Sequence, residues 1–369
     1  MVDLLIQAET VVDGAGAEPG WLLVRESQIV ERGTGETPRE PDYRVAAVLP
    51  PFVDIHTHGA VGVDFGQVGA DPAPAIAHHR GRGSTVIEAW IATGTLPAMA
   101  ARVRELAGFV QTGELAGIHL EGPWLSVEQR GAHDPALQRN PELAEVEALL
   151  GAGDGAVRMV TIAPELPGAL EAIRFMAANG VVAALGHTAA YANTVRRAID
   201  AGANEVTHVF NGMLPLHHRE VHLPGVALTD RRLWVELIAD GQRVNDDAGD
   251  LVVQAAGDRL LLVSDAMAAT GLGDGEYLLA GSKVRVRDGA ARLAEGNSLA
   301  GSTSVIADAV QRLLARGTGL ADITNWTNVH PAAVPRRGAP RLRVGDRADL
   351  VVIQDGRVAR VLSSGVWQD

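Results

Sequence analysis

The chain has 369 residues, 47% of them apolar and 21% charged, material enough for one large globular domain or two ordinary ones. A formal net charge of −13 argues against a nucleic-acid surface, because binding a phosphate backbone needs a basic face. There is no cysteine, so disulfides, thiolate metal sites and cysteine nucleophiles are excluded, and any metal must be held by His, Asp and Glu.

The N-terminal stretch "MVDLLIQAETVVDGAG" carries acidic residues early and no basic n-region, so it does not read as a signal peptide. No run of about 18 uncharged apolar residues suggests a membrane span, and a cytoplasmic protein is expected. The segments "DLLIQAETVVDG", "GWLLVRESQIVERG" and "YRVAAVLP" are short strands broken at Gly, Asp and Pro. They predict part of a small β unit over residues 1–48. Residues 49–335 show a different rhythm, with eight β-rich runs at 52–58, 85–93, 117–122, 157–165, 181–187, 205–211, 234–240 and 260–265. Alanine-rich stretches with helical spacing separate them, among them "PAMAARVRELAGFVQ", "PGALEAIRFMAANG" and "ANTVRRAIDAGA". Strands alternating with helices predict a parallel sheet, and eight of them over this length predict a closed (β/α)8 TIM-type barrel. "EGNSLAGSTS" is expected to be a loop. The last segment, "VGDRADLVVIQDGRVARVLSSGVWQD", returns to the style of the first, so residues 336–369 are expected to complete a small β-sandwich domain built from both chain termini.

The runs end in unusual residues. The first, in "FVDIHTHGA", closes on His56 and His58, which the two-residue period of a strand puts on one face. The third reaches Glu121, the fifth His187, the sixth carries His208 and the eighth ends in Asp265. Each has a purely structural alternative. His187 can cap a helix, His208 can be a core histidine, Glu121 can sit in a turn and Asp265 can be an N-cap. In a barrel, however, the C-terminal strand ends converge on one mouth. Six buried polar groups there need partners worth several kcal/mol, and a shared cation supplies them. A sulfur-free set of imidazoles and carboxylates suits zinc, iron, manganese or a similar divalent ion. A catalytic ion keeps an open position and activates water, which leaves one carboxylate, Asp265, as candidate proton shuttle.

Taken together, "PPFVDIHTHG", "GIHLEGPWLS" followed by "RGAHDP", "ALGHTAA", "THVFNGM", "HHRE", "IADG", "LVSDAMAATG" and "LAGS" resemble the amidohydrolase superfamily over nearly the whole chain. Within it they resemble the N-acetylglucosamine-6-phosphate deacetylases. The HxH pair is specific only to the superfamily; the motifs around Glu121, His208 and Asp265 are specific to the deacetylases. The resemblance implies metal-dependent hydrolysis of N-acetylglucosamine 6-phosphate to glucosamine 6-phosphate and acetate. It implies Glu121, His187 and His208 as ligands of a principal metal and His56 and His58 as a pair for a second. One or two ions are expected, zinc first, with iron, manganese or cobalt compatible. Asp265 becomes the acid/base, and His133 of "GAHDP" steadies the oxyanion or the substrate around it. Ala132, Asn211, Gly212, Leu299, Ala300 and Gly301 become sugar contacts.

The stretch "LPLHHREVH" gathers His217, His218, Arg219 and His222 in an acidic chain, and by itself reads equally as a solvated basic loop. The resemblance implies a homodimer in which Arg219 reaches the neighbouring subunit's site to bind phosphate. One position departs from the family pattern: "IADGQRV" places Arg243 where a histidine is usual. A guanidinium grips phosphate bidentately and is longer, which bears on which amino-sugar phosphate is preferred. Two other readings compete. A cyclic-amide hydrolase or dipeptidase of the same barrel commonly bridges two ions with a carbamylated lysine, but lysines are very few and none ends a run. A non-catalytic barrel is expected to have lost ligand positions, and all six are filled here.

Overall fold

The computed structural model describes residues 3–14, 16–295, 298–335 and 338–368. Gly296 and Asn297 of the expected loop, and Arg336 and Arg337 at the expected start of the C-terminal β segment, lie outside these residues. The chain opens with β1 (Leu4–Asp13), β2 (Gly16–Arg25), β3 (Gln28–Gly33) and β4 (Tyr43–Leu49). It then forms β5 (Phe52–Thr57), β6 (Ser84–Ala92), β7 (Gly117–Glu121), β8 (Val157–Ile162), β9 (Val182–Leu185), β10 (Glu205–Val206), β11 (Trp234–Leu237) and β12 (Leu260–Leu262). These eight are parallel neighbours in chain order, and each falls within one of the expected runs, give or take a residue at the start. Beyond β12 the chain closes the ring onto β5: the Asp265 N–H donates to His56 O at 2.9 Å, and Thr57 bridges Ala266.

The barrel strands are buried on both faces, as parallel strands covered by helices must be. Ile118 and Leu120 of β7 and Val160 and Ile162 of β8 point outward into the main core beneath the helices. The helix Leu96–Gln111 illustrates the covering layer. Thr95 accepts the Ala98 N–H on its side-chain oxygen, and Pro97 stands in the first turn, where its missing N–H costs nothing. Met99, Val103 and Leu106 recur at helical spacing and are buried. Each such side chain contributes roughly 1.5–3 kcal/mol by leaving water.

After β12 the chain inserts an antiparallel sheet of β13 (Gly275–Leu279), β14 (Ser282–Arg287) and β15 (Ala290–Leu293). The sequence reading above left this sheet out. Its signal is nonetheless local, since Asp288 and Gly289 both have positive φ, the two-residue turn that an Asp-Gly pair favours. Val284, Val286 and Ala291 of this sheet pack with Met267, Ala269 and Ala300, which ties it to the barrel mouth.

The chain ends in β16 (Leu350–Gln354), β17 (Arg357–Ser363) and β18 (Val366–Gln368). These join the first four strands in one seven-stranded sheet ordered β18-β17-β16-β4-β1-β2-β3. Ile29 of β3 donates to Asp346 O at 3.0 Å and accepts from the Gly345 N–H at 2.8 Å, so the edge strand returns to the chain entering β16. The sheet thereby wraps a core of Ile6, Val24, Ile29, Val48, Leu350 and Val352. The fold is a TIM-type barrel carrying a small β-sandwich made from both termini. Among the described residues, no helix is long and apolar enough to cross a membrane.

Candidate active site

The polar residues at the strand ends meet. Glu121, the last residue of β7, stands between four imidazoles. Its Oε1 lies 2.9 Å from His187 Nε2 and 3.3 Å from His208 Nε2, and its Oε2 lies 3.2 Å from His133 Nε2 and 3.3 Å from His58 Nε2. Across from it, Asp265 Oδ1 lies 3.3 Å from His56 Nε2 and 3.4 Å from His58 Nε2. His187, His208 and Asp265 all have positive φ, which turns their side chains inward just past the strands. Such backbone costs about 1–3 kcal/mol per residue and persists only where surrounding structure holds it, as at functional sites.

Hydrogen bonding divides the imidazoles into two kinds. His187 Nδ1 lies 2.8 Å from Gln129 O, and His56 Nδ1 lies 2.8 Å from Glu236 Oε2. Those acceptors take the Nδ1 proton and turn each Nε2 toward the carboxylates, the orientation in which it binds a metal once its own proton has left. His133 is the reverse. Its Nδ1 accepts the Thr93 backbone N–H at 3.3 Å, so its Nε2 carries the proton and acts as a donor.

The carboxylates at the site draw positive charge onto it. Burial alone lowers the pKa of His56 and His58, yet Glu236, Asp265 and Glu121 outweigh it and raise them to about 9 and about 10. Burial raises the carboxyls of Glu121 and Asp265, but the surrounding imidazoles, with the Arg243 charge at Asp265, hold both well below the usual carboxylate range. Burial also keeps His133 and His208 below the ordinary imidazole value. His187 Nε2 and His208 Nε2 sit only 3.1 Å apart and face the same carboxylate oxygen. Among the described residues, three groups of donors have their ligand atoms within 4.8 Å of one another: His56–Glu121–His208, His56–His58–Asp265 and Glu121–His133–His187. Converging lone pairs and carboxylates, buried and without sulfur, fit a divalent ion of the zinc, iron or manganese type.

Above these groups opens a cavity of about 440 Å³, lined by His58, Glu121, His187, His208 and Asp265. The other expected contacts reach it too: Ala132, His133, Asn211, Gly212, Arg243, Leu299, Ala300 and Gly301. The inserted sheet delivers several of them. Ser282 of β14 donates to Ala132 O at 3.1 Å, and the Ala300 N–H donates to Ala291 O of β15 at 3.1 Å. Arg219 is not brought there. It is exposed, with its guanidinium 2.8 Å from His218 Nε2, and does not line the cavity. Arg243 lines the cavity with its guanidinium already engaged, 2.7 Å from Asp240 Oδ2 and 3.4 Å from Asp265 Oδ2.

Two supporting residues escaped the sequence reading. Glu236 Oε2 holds both the His56 ring and, at 2.9 Å, the His208 backbone N–H, so one oxygen orients two metal-capable histidines. Trp90 stacks on His56 with ring centroids 3.2 Å apart and lies against His119 on its other side. Glu236 sits two residues after Trp234 in β11 and Trp90 four after Val86 in β6, so period-two counting assigns both to the barrel interior. That signal was present but says nothing of a partner.

Gly212 and Gly131 cradle the His187 ring. Both have positive φ, and a Cβ on Gly212 would lie 2.6 Å from His187 Nδ1, one on Gly131 3.1 Å from His187 Cε1. Gly212→Ala is therefore expected to displace the ring, lower metal affinity at least about tenfold and reduce kcat/KM in proportion. Metal titration of the purified variant checks this, and unchanged affinity would show that the ring has room to spare.

The amidohydrolase family model matches residues 47–367. An N-acetylgalactosamine-6-phosphate deacetylase of Escherichia coli O157:H7 is 36% identical over 354 residues, covering 92% of this chain and 93% of its own. An N-acetylglucosamine-6-phosphate deacetylase of Bos taurus is 33% identical over 343 residues, covering 87% and 83%. Among solved structures, the N-acetyl-D-glucosamine-6-phosphate deacetylase of Mycobacterium smegmatis superposes with a TM-score of 0.92 at 42% identity, covering 99% of both chains. A barrel with imidazoles and carboxylates gathered at its mouth, matched along its length in this way, belongs to the amidohydrolase family.

Proposed function

We propose that this protein is a metal-dependent deacetylase of N-acetylglucosamine 6-phosphate, releasing acetate and glucosamine 6-phosphate. The relatives named above act on such substrates by name, and a Mycobacterium smegmatis mutant at 41% identity and TM-score 0.94 was solved with N-acetyl-D-glucosamine-6-phosphate bound. Glu121, His187 and His208 would hold the principal ion; His56 and His58, with Asp265, would hold a second. A divalent ion there supplies Lewis acidity and brings the pKa of a water toward neutrality. We assign zinc, which suits mixed imidazole and carboxylate ligands.

The chain's own residues do the rest. Asp265 Oδ1 takes a proton from the attacking water as the water oxygen bonds to the acetyl carbon. The same proton then goes to the amine nitrogen as the C–N bond breaks. The His133 Nε2–H, fixed as a donor by Thr93, is aimed beside Glu121 and stabilises the developing oxyanion. Asn211, Gly212 and residues 299–301 hold the sugar at the cavity wall. For the phosphate we assign Arg219 of a second copy in a homodimer, as the resemblance to the deacetylases implies; this chain's own Arg219 is exposed and does not line its cavity.

The observation that carries this reading is the hydrogen-bond pattern at the strand ends, which commits Nδ1 of His56 and His187 to acceptors, leaves their Nε2 to face the carboxylates, and puts a proton on His133 Nε2. Amine release from N-acetylated glucosamine, galactosamine and mannosamine 6-phosphates, before and after chelation, is the test. We expect turnover to vanish on chelation and return with zinc, with the glucosamine substrate preferred. The galactosamine epimer is a necessary arm, since the Escherichia coli relative bears that name. Full activity in a metal-stripped preparation defeats the proposal. Read on Arg219→Ala, the same assay should show a raised KM for phosphorylated substrates; an unchanged KM removes the phosphate role.

A further inference from the structure

A second cavity of about 520 Å³ adjoins the first, and the two share only Ala92 and Ala280 among their lining residues. It lies over the β5 and β6 side of the mouth, bounded by Ile91, Met99, Leu137 and Leu278. Its carboxylate, Asp64, is half-buried and accepts the Gly66 N–H at 2.7 Å. Of the assigned sugar contacts, Asn211 and Gly212 follow β10, whereas residues 299–301 lie beside Met267, where the chain closes onto β5. In a ring of eight strands, β5–β6 and β9–β10 stand opposite each other. On a pyranose, the C2 nitrogen and the C5 carbon bearing the phosphorylated arm are likewise on opposite sides of the ring. A substrate held with its phosphorylated arm at Asn211 and Gly212 points its acyl chain toward β5 and β6, where Ala92 and Ala280 line both cavities.

We infer that the second cavity is an acyl subsite, and that the enzyme accepts uncharged aliphatic N-acyl groups longer than acetyl on the same hexosamine 6-phosphate. An acetyl methyl needs only a small part of that space, and the aliphatic walls suit further methylenes. The Asp64 carboxylate disfavours acyl chains that end in a carboxylate of their own. The inference rests on the deacetylase reading and deepens it; the bond broken and the proton transfers are unchanged.

The experiment is a panel of N-acetyl, N-propionyl, N-butyryl and N-succinyl glucosamine 6-phosphates, assayed by amine release on the metal-loaded enzyme. A pocket closed after the methyl would lose about 10–200-fold for each surplus methylene. We expect instead that butyryl stays within about tenfold of acetyl in kcat/KM, with succinyl far poorer. Ala98→Phe, at an exposed helix position that lines only the second cavity, should raise KM for butyryl at least about tenfold and leave acetyl turnover unchanged. Butyryl more than about a hundredfold below acetyl overturns the subsite, as does an Ala98→Phe variant that penalises both substrates alike. Turnover of acetyl alone sinks only this inference; turnover of none sinks the deacetylase reading and the subsite with it.

Discussion

Asp265→Asn should lower kcat by at least about 10³-fold while leaving the principal ion at Glu121, His187 and His208 bound. The substitution keeps the shape of the side chain and an oxygen for the face that meets His56 and His58. It removes the group's capacity to accept a proton from water and return it to the leaving nitrogen. Asp265 is a demanding place for this chemistry, being buried beside two imidazoles and the Arg243 guanidinium, all of which favour its ionised form. A carboxylate so stabilised is a weak base in the resting site. Metal analysis and a thermal melt separate a chemical defect from an unfolded site. Turnover within tenfold of the parent, with metal bound, would move the proton shuttle to another residue.

Glu121→Gln should abolish tight metal binding and, with it, measurable activity. Loss of a supporting hydrogen bond to a ligand typically costs about 10–100-fold in metal affinity, and removing the central carboxylate should cost more than about 100-fold. The reason is in the contacts: each Glu121 oxygen faces two imidazole nitrogens, so its single negative charge serves four rings. An amide puts an N–H donor where one pair of those nitrogens now meets an acceptor. Competitive chelator titration followed by metal analysis measures the affinity. Retention of parent-like affinity would show that the ion is held elsewhere in the cluster, with His56, His58 and Asp265 as the remaining candidates.

Glu236 and Trp90 show why supporting residues resist a sequence reading. Their neighbours along the chain are ordinary barrel residues, and period two says only that they point inward. What gives them meaning is a contact over long separation, 180 residues between His56 and Glu236, that no local pattern encodes. The tautomers of His133 and His187 are of the same kind, because they depend on Thr93 and Gln129. Arg243 is the instructive case. Its residue type suggested a phosphate clamp, and only tertiary packing shows that it lines the cavity with its guanidinium also set against Asp240 and Asp265. The inserted sheet was legible in principle through its Asp-Gly turn, but its short strands lie outside the barrel rhythm that governed the reading.

The architecture was written locally. Apolar runs that must be buried on both faces, alternating with helical stretches, leave few arrangements other than a parallel barrel, and strand direction then sends every run's last residue to the same rim. That is why the identities of the metal-capable side chains could be read from the chain alone. Their partnership could not. Which nitrogen carries a proton, which oxygen faces which ring, and whether a second chamber opens behind two alanines are set by contacts among residues far apart in sequence. Folding determines those distances to fractions of an ångström, and the energies that depend on them change over the same scale.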